Sequence, residues 1–67
     1  MRVLTPDERR RLVQAVFWCG TRRELRDVEA EIARDYAATA EQRATNEAEL
    51  TWLRDVVRAR RQSVARG

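Results

Sequence analysis

The sequence predicts a small all-α domain, on the strength of three observations. Apolar residues recur at helical spacing in three stretches, no stretch alternates apolar and polar residues as a strand would, and helix-capping residues precede the candidate helices. The predicted fold is a short helical hairpin plus a third helical segment, which together form a small three-helix bundle. The expected helices cover about residues 6–19, 22–38 and 46–65 of a single domain, residues 1–67.

The first helix is predicted to begin at Pro6, a residue type that suits the first helical position. Thr5 is a natural N-cap, and Glu8 follows it at the spacing of a capping box. The apolar stripe of this helix is expected to consist of Leu12, Val13, Val16 and Phe17.

The chain is predicted to turn at Gly20, because glycine adopts the left-handed conformation that ends many helices at low cost. On this interpretation, Gly20→Val should destabilise the fold by about 1 kcal/mol or more. Thr21 and Glu24 form a second capping box, so a second helix should begin at Arg22. Its expected apolar stripe is Leu25, Val28, Ile32 and Tyr36.

The segment 37–46, "AATAEQRATN", leaves the architecture open. It contains no Gly or Pro, yet polar residues occupy the positions that would continue an apolar stripe. Thr39 with Gln42, or Asn46 with Glu49, would suit the start of a new helix. A break here gives the three-helix bundle. The alternative is a short helix packed on one continuous helix of about 44 residues, roughly 65 Å long, which would need a dimer or a partner.

Composition excludes several classes of function. The chain has one cysteine and no histidine, so it cannot build a disulfide or a zinc site by itself. No metal, cofactor, catalytic residue or small-molecule substrate is expected. No apolar run reaches the roughly 18–20 residues of a membrane span, and no signal-peptide core is visible, so the expected location is the cytoplasm. A chain of 67 residues buries only a marginal core, which favours a homo-oligomer or a partner protein.

The two tryptophans lie off the predicted apolar stripes. At 100° per residue, Trp18 projects nearly opposite Val13 and Val16. Trp52 projects about 120° from the apolar stripe of the third helix, which runs through Leu50, Leu53 and Val57. One interpretation is a broad core that also buries these side chains. The other is an interface, where Trp and Arg are enriched among the residues that dominate binding. The predicted partner-binding residues are Trp18, Arg22, Arg23 and Trp52.

All 14 basic residues are arginines, and the charge is laid out as basic, acidic, basic: net +4 over residues 1–26, −5 over 27–53 and +4 over 54–67. The second helix, aligned as the recognition helix of a helix-turn-helix, begins with arginines that suit phosphate contacts. If Glu29, Glu31 and Asp35 line its solvent face, they would repel a nucleic-acid backbone. The candidate nucleic-acid-binding residues are Arg9, Arg10, Arg22, Arg23, Arg54, Arg58, Arg60 and Arg61.

Two functions are therefore expected from different classes. The first is a non-enzymatic regulatory or adaptor module that binds another protein or itself through a Trp/Arg helical surface, of a size and composition that suit a phage or mobile-element regulator. The alternative is a small arginine-rich, helix-turn-helix-like regulator that binds nucleic acid. Salt dependence distinguishes them, because phosphate binding weakens steeply with salt.

Overall fold

The computed structural model describes residues 2–66, which form four α-helices. These are α1 (Pro6–Trp18), α2 (Arg22–Tyr36), α3 (Ala40–Thr45) and α4 (Glu47–Arg66). No strand occurs within the described residues. The long helix α4 contacts each of the other three, and the molecule measures 36 × 19 × 14 Å. The prediction of a small all-α bundle is confirmed.

The helical conformation is interrupted between α2 and α4, so the alternative fold with one long continuous helix is excluded. Helix α2 ends at Tyr36, and the Thr39 hydroxyl then accepts a hydrogen bond from the Gln42 N–H (3.1 Å) to cap α3. The three predicted helices did not include α3 as a separate element. Asn46 lies between α3 and α4, but its side chain has other partners and does not cap α4.

The core consists of two adjoining apolar clusters, with Val28 packed against both. Phe17 was expected in the core stripe, but it is 60% exposed, so this prediction was wrong. It lies about 100° beyond the buried Val16 around α1, which takes it past the face that α2 and α4 cover. The first cluster contains Leu4, Leu12, Ile32, Tyr36 and Leu53, and the second contains Val16, Cys19, Leu25 and Val57.

A buried asparagine ties the N-terminal segment to the break between the helices. The Oδ1 of Asn46 accepts the Leu4 N–H at 2.9 Å. Its Nδ2 donates to the carbonyls of Tyr36 (3.0 Å) and Arg2 (3.1 Å). Since Asn46 is only 2% exposed, these bonds replace water for groups that solvent does not reach.

Gln42 makes a second set of buried contacts beside Asn46. Its Nε2 donates to the carbonyls of Asp35 (2.6 Å) and Arg2 (3.1 Å), and its Oε1 accepts the Ala38 N–H (2.9 Å). Within residues 2–66, every buried side-chain nitrogen and oxygen has a hydrogen-bond partner. The junction of α2, α3 and the N-terminal segment is therefore fixed by polar contacts as well as by apolar packing.

Two acidic residues of α2, Glu29 and Asp35, pair with arginines of other elements, which corrects the expectation that Glu29, Glu31 and Asp35 line a solvent face. All three are half-buried. Glu29 accepts a hydrogen bond from Arg61 on α4, and the Asp35 Oδ2 lies 3.2 Å from the Arg2 Nη1. They flank the buried stripe of α2, so neighbouring elements cover them.

The turn between α1 and α2 does not use a left-handed glycine. No described residue has a positive φ, Gly20 included. Cys19 ends α1 in an extended conformation (φ −70°, ψ 120°), and its N–H donates to the Val16 carbonyl at 3.1 Å. The capping pair is confirmed at Thr21, whose side chain accepts the Glu24 N–H (3.1 Å), and Glu24 Oε1 accepts the Gly20 N–H (3.3 Å).

Gly20→Ala is expected to be tolerated and to stabilise the fold by about 0.4–1 kcal/mol, because alanine reduces the entropy of the unfolded chain. A Cβ at this position would lie 3.8 Å from the Glu24 Oε1, an ordinary contact. The destabilisation predicted for Gly20→Val therefore loses its basis. Urea unfolding of wild type and Gly20→Ala measures the change, and a loss of more than about 1 kcal/mol would restore the left-handed interpretation.

Candidate protein-binding surfaces

Three large aromatic side chains lie outside the core: Phe17 is 60%, Trp18 85% and Trp52 47% exposed. Only Tyr36, among the four aromatic residues, is buried. Exposed aromatic groups on a folded domain indicate interaction sites when they adjoin other apolar surface. The three residues belong to two different faces, because Phe17 and Trp18 project about 100° apart on the last turn of α1 and line different grooves.

The first face is a groove between α1 and α2, called here the Trp18 groove. It is lined by Ala15, Trp18, Cys19, Glu24, Asp27 and Val28. The apolar lining comes from the tryptophan, the alanine and the valine. Two carboxylates, those of Glu24 and Asp27, border it, so this groove favours a ligand that combines apolar and positively charged groups.

Contacts from α4 and α2 hold the turn that carries Trp18. Arg60 on α4 donates from Nε to the Cys19 carbonyl at 3.0 Å. The Thr21 cap fixes the start of α2 two residues later. Trp18 is therefore presented from a backbone that is already ordered, which lowers the entropic cost of using it in an interface.

The predicted Trp/Arg patch is divided in the structure. Arg22 lines a different groove, between the start of α2 and the end of α4, together with Arg26 and Arg61. Arg23 is exposed on the first turn of α2. The residues that border Trp18 are acidic instead. Helical spacing could have predicted this acidic border, since Glu24 and Asp27 precede Val28 on the side of α2 that faces α1. The sequence analysis interpreted Glu24 only as a capping residue.

The second face, called here the α4 face, includes the other exposed tryptophan, Trp52. It forms a groove lined by Phe17, Trp52, Asp55, Val56, Ala59, Arg60 and Ser63. The Arg9 guanidinium lies over the Trp52 ring, 4.5 Å from its centroid, and Arg9 Nη1 lies 2.6 Å from the Glu49 Oε2. The chain itself therefore covers part of Trp52, whereas Trp18 is left more open.

The candidate nucleic-acid-binding arginines do not form one cluster. Arg9 is engaged by Glu49 and Trp52, and Arg10 is exposed in the same half of α1. At the other end of the molecule, Arg60 bonds to a backbone carbonyl. The remaining members are Arg61, which pairs with Glu29, and the exposed Arg22, Arg23, Arg54 and Arg58. The basic residues that converge are Arg22, Arg26 and Arg61.

Two titratable side chains in the interior are held neutral. Burial raises the pKa of the Cys19 thiol, whose Sγ donates to the Ala15 carbonyl at 3.3 Å. Burial also raises the pKa of Tyr36, and its hydroxyl donates to the Glu8 Oε2 at 3.0 Å. That bond lowers the pKa of Glu8. Both shifts disfavour the ionised forms of these two side chains.

Among residues 2–66, no group of three or more His, Cys, Asp or Glu side chains is placed to hold a metal ion. In the same part of the chain, no helix combines the length and the apolar character needed to cross a bilayer.

Comparison with protein-family models found no match, and comparisons with curated proteins and with solved structures also found no similar protein.

Proposed function

We propose that this chain is a non-enzymatic, cytoplasmic protein-binding module that regulates another protein, with Trp18 as the anchor of its interface. The observation that carries the proposal is the 85% exposure of Trp18 on a turn that Arg60 and Thr21 hold in place. Tryptophan is among the residue types that dominate binding energy when a partner buries them. The neutral Cys19 thiol and the absence of histidine from the sequence support a binding role over a catalytic one.

The Trp18 groove points to a partner segment that is amphipathic and basic. An apolar side chain of the partner would pack on Trp18 and Val28, and Lys or Arg residues beside it would meet the carboxylates of Glu24 and Asp27. This differs from the expectation that Arg22 and Arg23 would meet acidic groups around Trp18. Arg22 and Arg23 lie outside the Trp18 groove, so the proposal assigns them no contact with the partner segment.

Selection from a random peptide library tests this proposal, because it requires only that the Trp18 groove bind a short segment of suitable chemistry. Peptides retained by the wild type and released by Trp18→Ala are expected to be rich in basic and large apolar residues. Their affinity for Trp18→Ala is expected to fall about 30-fold, which corresponds to about 2 kcal/mol.

The matched control is Trp52→Ala, which removes the same side chain from the α4 face and should bind the selected peptides as the wild type does. The melting temperature of Trp18→Ala should stay close to that of the wild type, because the side chain lies outside the core. A library that yields no binding peptide would contradict the proposal. So would peptides that bind Trp18→Ala with the same affinity as the wild type.

A second candidate function, nucleic-acid binding, is supported by one observation. Arg22, Arg26 and Arg61 line the same groove, where the basic start of α2 meets the basic end of α4. Glu29 lines it too and pairs with Arg61, which reduces its positive charge. An affinity for nucleic acid that falls steeply with salt, and that Arg26→Glu abolishes, would favour this candidate.

A further inference from the structure

Helix α4 carries an outward stripe of apolar and small side chains that its own chain covers only in part. The stripe residues follow one another at intervals of four, four, three and four, which keeps them on one side of the helix. Trp52 is 47% exposed and Val56 is half-buried. The full stripe is Ala48, Trp52, Val56, Ala59 and Ser63.

Beside this stripe runs a row of six polar side chains, all exposed. Among the described residues, none of the six takes part in an ion pair or a side-chain hydrogen bond within the chain. Its two acids lie in the first half of α4 and its two arginines in the second half. The row consists of Glu47, Thr51, Asp55, Arg58, Gln62 and Arg66.

The charges of this row are complementary to those of a second, antiparallel copy of the same row. The intervals are four, four, three, four and four, so the row is symmetric about the point between Val56 and Val57. An antiparallel second copy of the row places Asp55 opposite Arg58 and Thr51 opposite Gln62. The end residues Glu47 and Arg66 also meet. Every acid of the row then faces an arginine of the other copy.

We propose that the α4 face binds a second copy of this chain, with the two α4 helices antiparallel across a two-fold axis near Val56. In this arrangement Trp52 lies opposite the gap between Ala59 and Ser63 of the second copy, where small side chains leave room for a large one. The two-fold axis makes each contact occur twice, as in other isologous dimers.

The charges of the row favour an antiparallel second copy over a parallel copy or a foreign helix on the α4 face. A parallel second copy would place acids beside acids at the start of α4 and arginines beside arginines at its end. A foreign helix would not require the row to be symmetric about its own midpoint. The α4 helix is about 30 Å long, enough for several turns of helix pairing, and a small core gains stability from such a partner. The Trp18 groove lies between α1 and α2 and stays open in this dimer.

A charge-exchange experiment tests the pairing of Asp55 with Arg58. Asp55→Arg places two arginines opposite each other at both symmetric contacts, and Arg58→Asp does the same with two acids. Each single variant is expected to raise the dissociation constant of the dimer about tenfold or more. An equimolar mixture of the two variants is expected to form heterodimers, because each acid then faces an arginine again. Sedimentation velocity and native mass spectrometry distinguish the species.

The control is Arg34→Glu, an exposed charge reversal on α2, which should leave dimer formation unchanged. Circular dichroism checks that each variant stays helical, and the double variant Asp55→Arg/Arg58→Asp should dimerise with itself. A wild type that stays monomeric at millimolar concentration would overturn the proposal. So would single variants that dimerise normally, or a mixture that fails to form heterodimers. None of these results bears on the binding of peptides at Trp18.

Discussion

Asn46→Ala is expected to lower the free energy of unfolding by about 3 kcal/mol. The substitution leaves the Leu4 N–H and the Tyr36 carbonyl without their partner in a place that water does not reach, and it removes one of the two hydrogen bonds that the Arg2 carbonyl accepts. A buried polar group that loses its hydrogen bond costs about 1–3 kcal/mol, and several groups are affected at once. Relaxation of the N-terminal segment toward solvent recovers part of this cost, which sets the expected value below the full sum.

Chemical denaturation of Asn46→Ala beside Gln14→Ala measures this effect. Gln14 is an exposed amide on α1 and makes no side-chain hydrogen bond among the described residues, so its removal should change stability by less than about 0.5 kcal/mol. The N-terminal residues of Asn46→Ala should also become susceptible to proteolysis, because their anchor is gone. If Asn46→Ala were as stable as Gln14→Ala, the polar junction would not hold the N-terminal segment.

Leu53→Ala is expected to destabilise the fold by about 3 kcal/mol, whereas Trp52→Ala, at the adjacent position, should cost less than about 1 kcal/mol. Leu53 is 1% exposed and packs in the cluster with Leu12, Ile32 and Tyr36. Trp52 is larger, but it is 47% exposed and its ring contacts the Arg9 guanidinium. Burial, not side-chain size, therefore decides the order of the two effects.

This pair should be compared in the Asp55→Arg background, so that loss of a dimer contact at Trp52 does not add to the measured stability. Thermal unfolding of both variants gives the difference directly. A Trp52→Ala variant that is less stable than Leu53→Ala in this background would mean that the core extends to the α4 face.

Local sequence signals predicted the starts of α1 and α2 correctly, because capping depends on residues three positions apart. Thr5 and Thr21 cap α1 and α2 as expected. The Thr5 capping box is only half formed, since the Glu8 carboxylate contacts Arg11 and Tyr36 instead of the N-cap. The polar segment 37–46 left both a break and a continuous helix open, but its polar stripe positions favoured the break, because an amphipathic helix does not continue where its inner face is polar.

Long-range contacts explain what the sequence could not predict. Asn46 resembles an ordinary N-cap in the sequence, but its partners include Arg2, 44 positions away. Gly20 suggested a left-handed turn, yet the capping pair at Thr21 already fixes the chain. The exposure of Trp18 follows from helical periodicity. Its acidic border follows only in part: helical spacing places Glu24 and Asp27 on one side of α2, but the packing of α1 against α2 brings them to Trp18.

The most direct test of the Trp18 interface is the ¹⁵N NMR spectrum of the chain during titration with a selected basic peptide. The two tryptophans give two indole N–H signals, which Trp52→Phe assigns. The expected result is that the Trp18 signal shifts to saturation while the Trp52 signal stays in place. A titration that moves the Trp52 signal and leaves the Trp18 signal unchanged would contradict the assignment of the binding surface to the Trp18 groove.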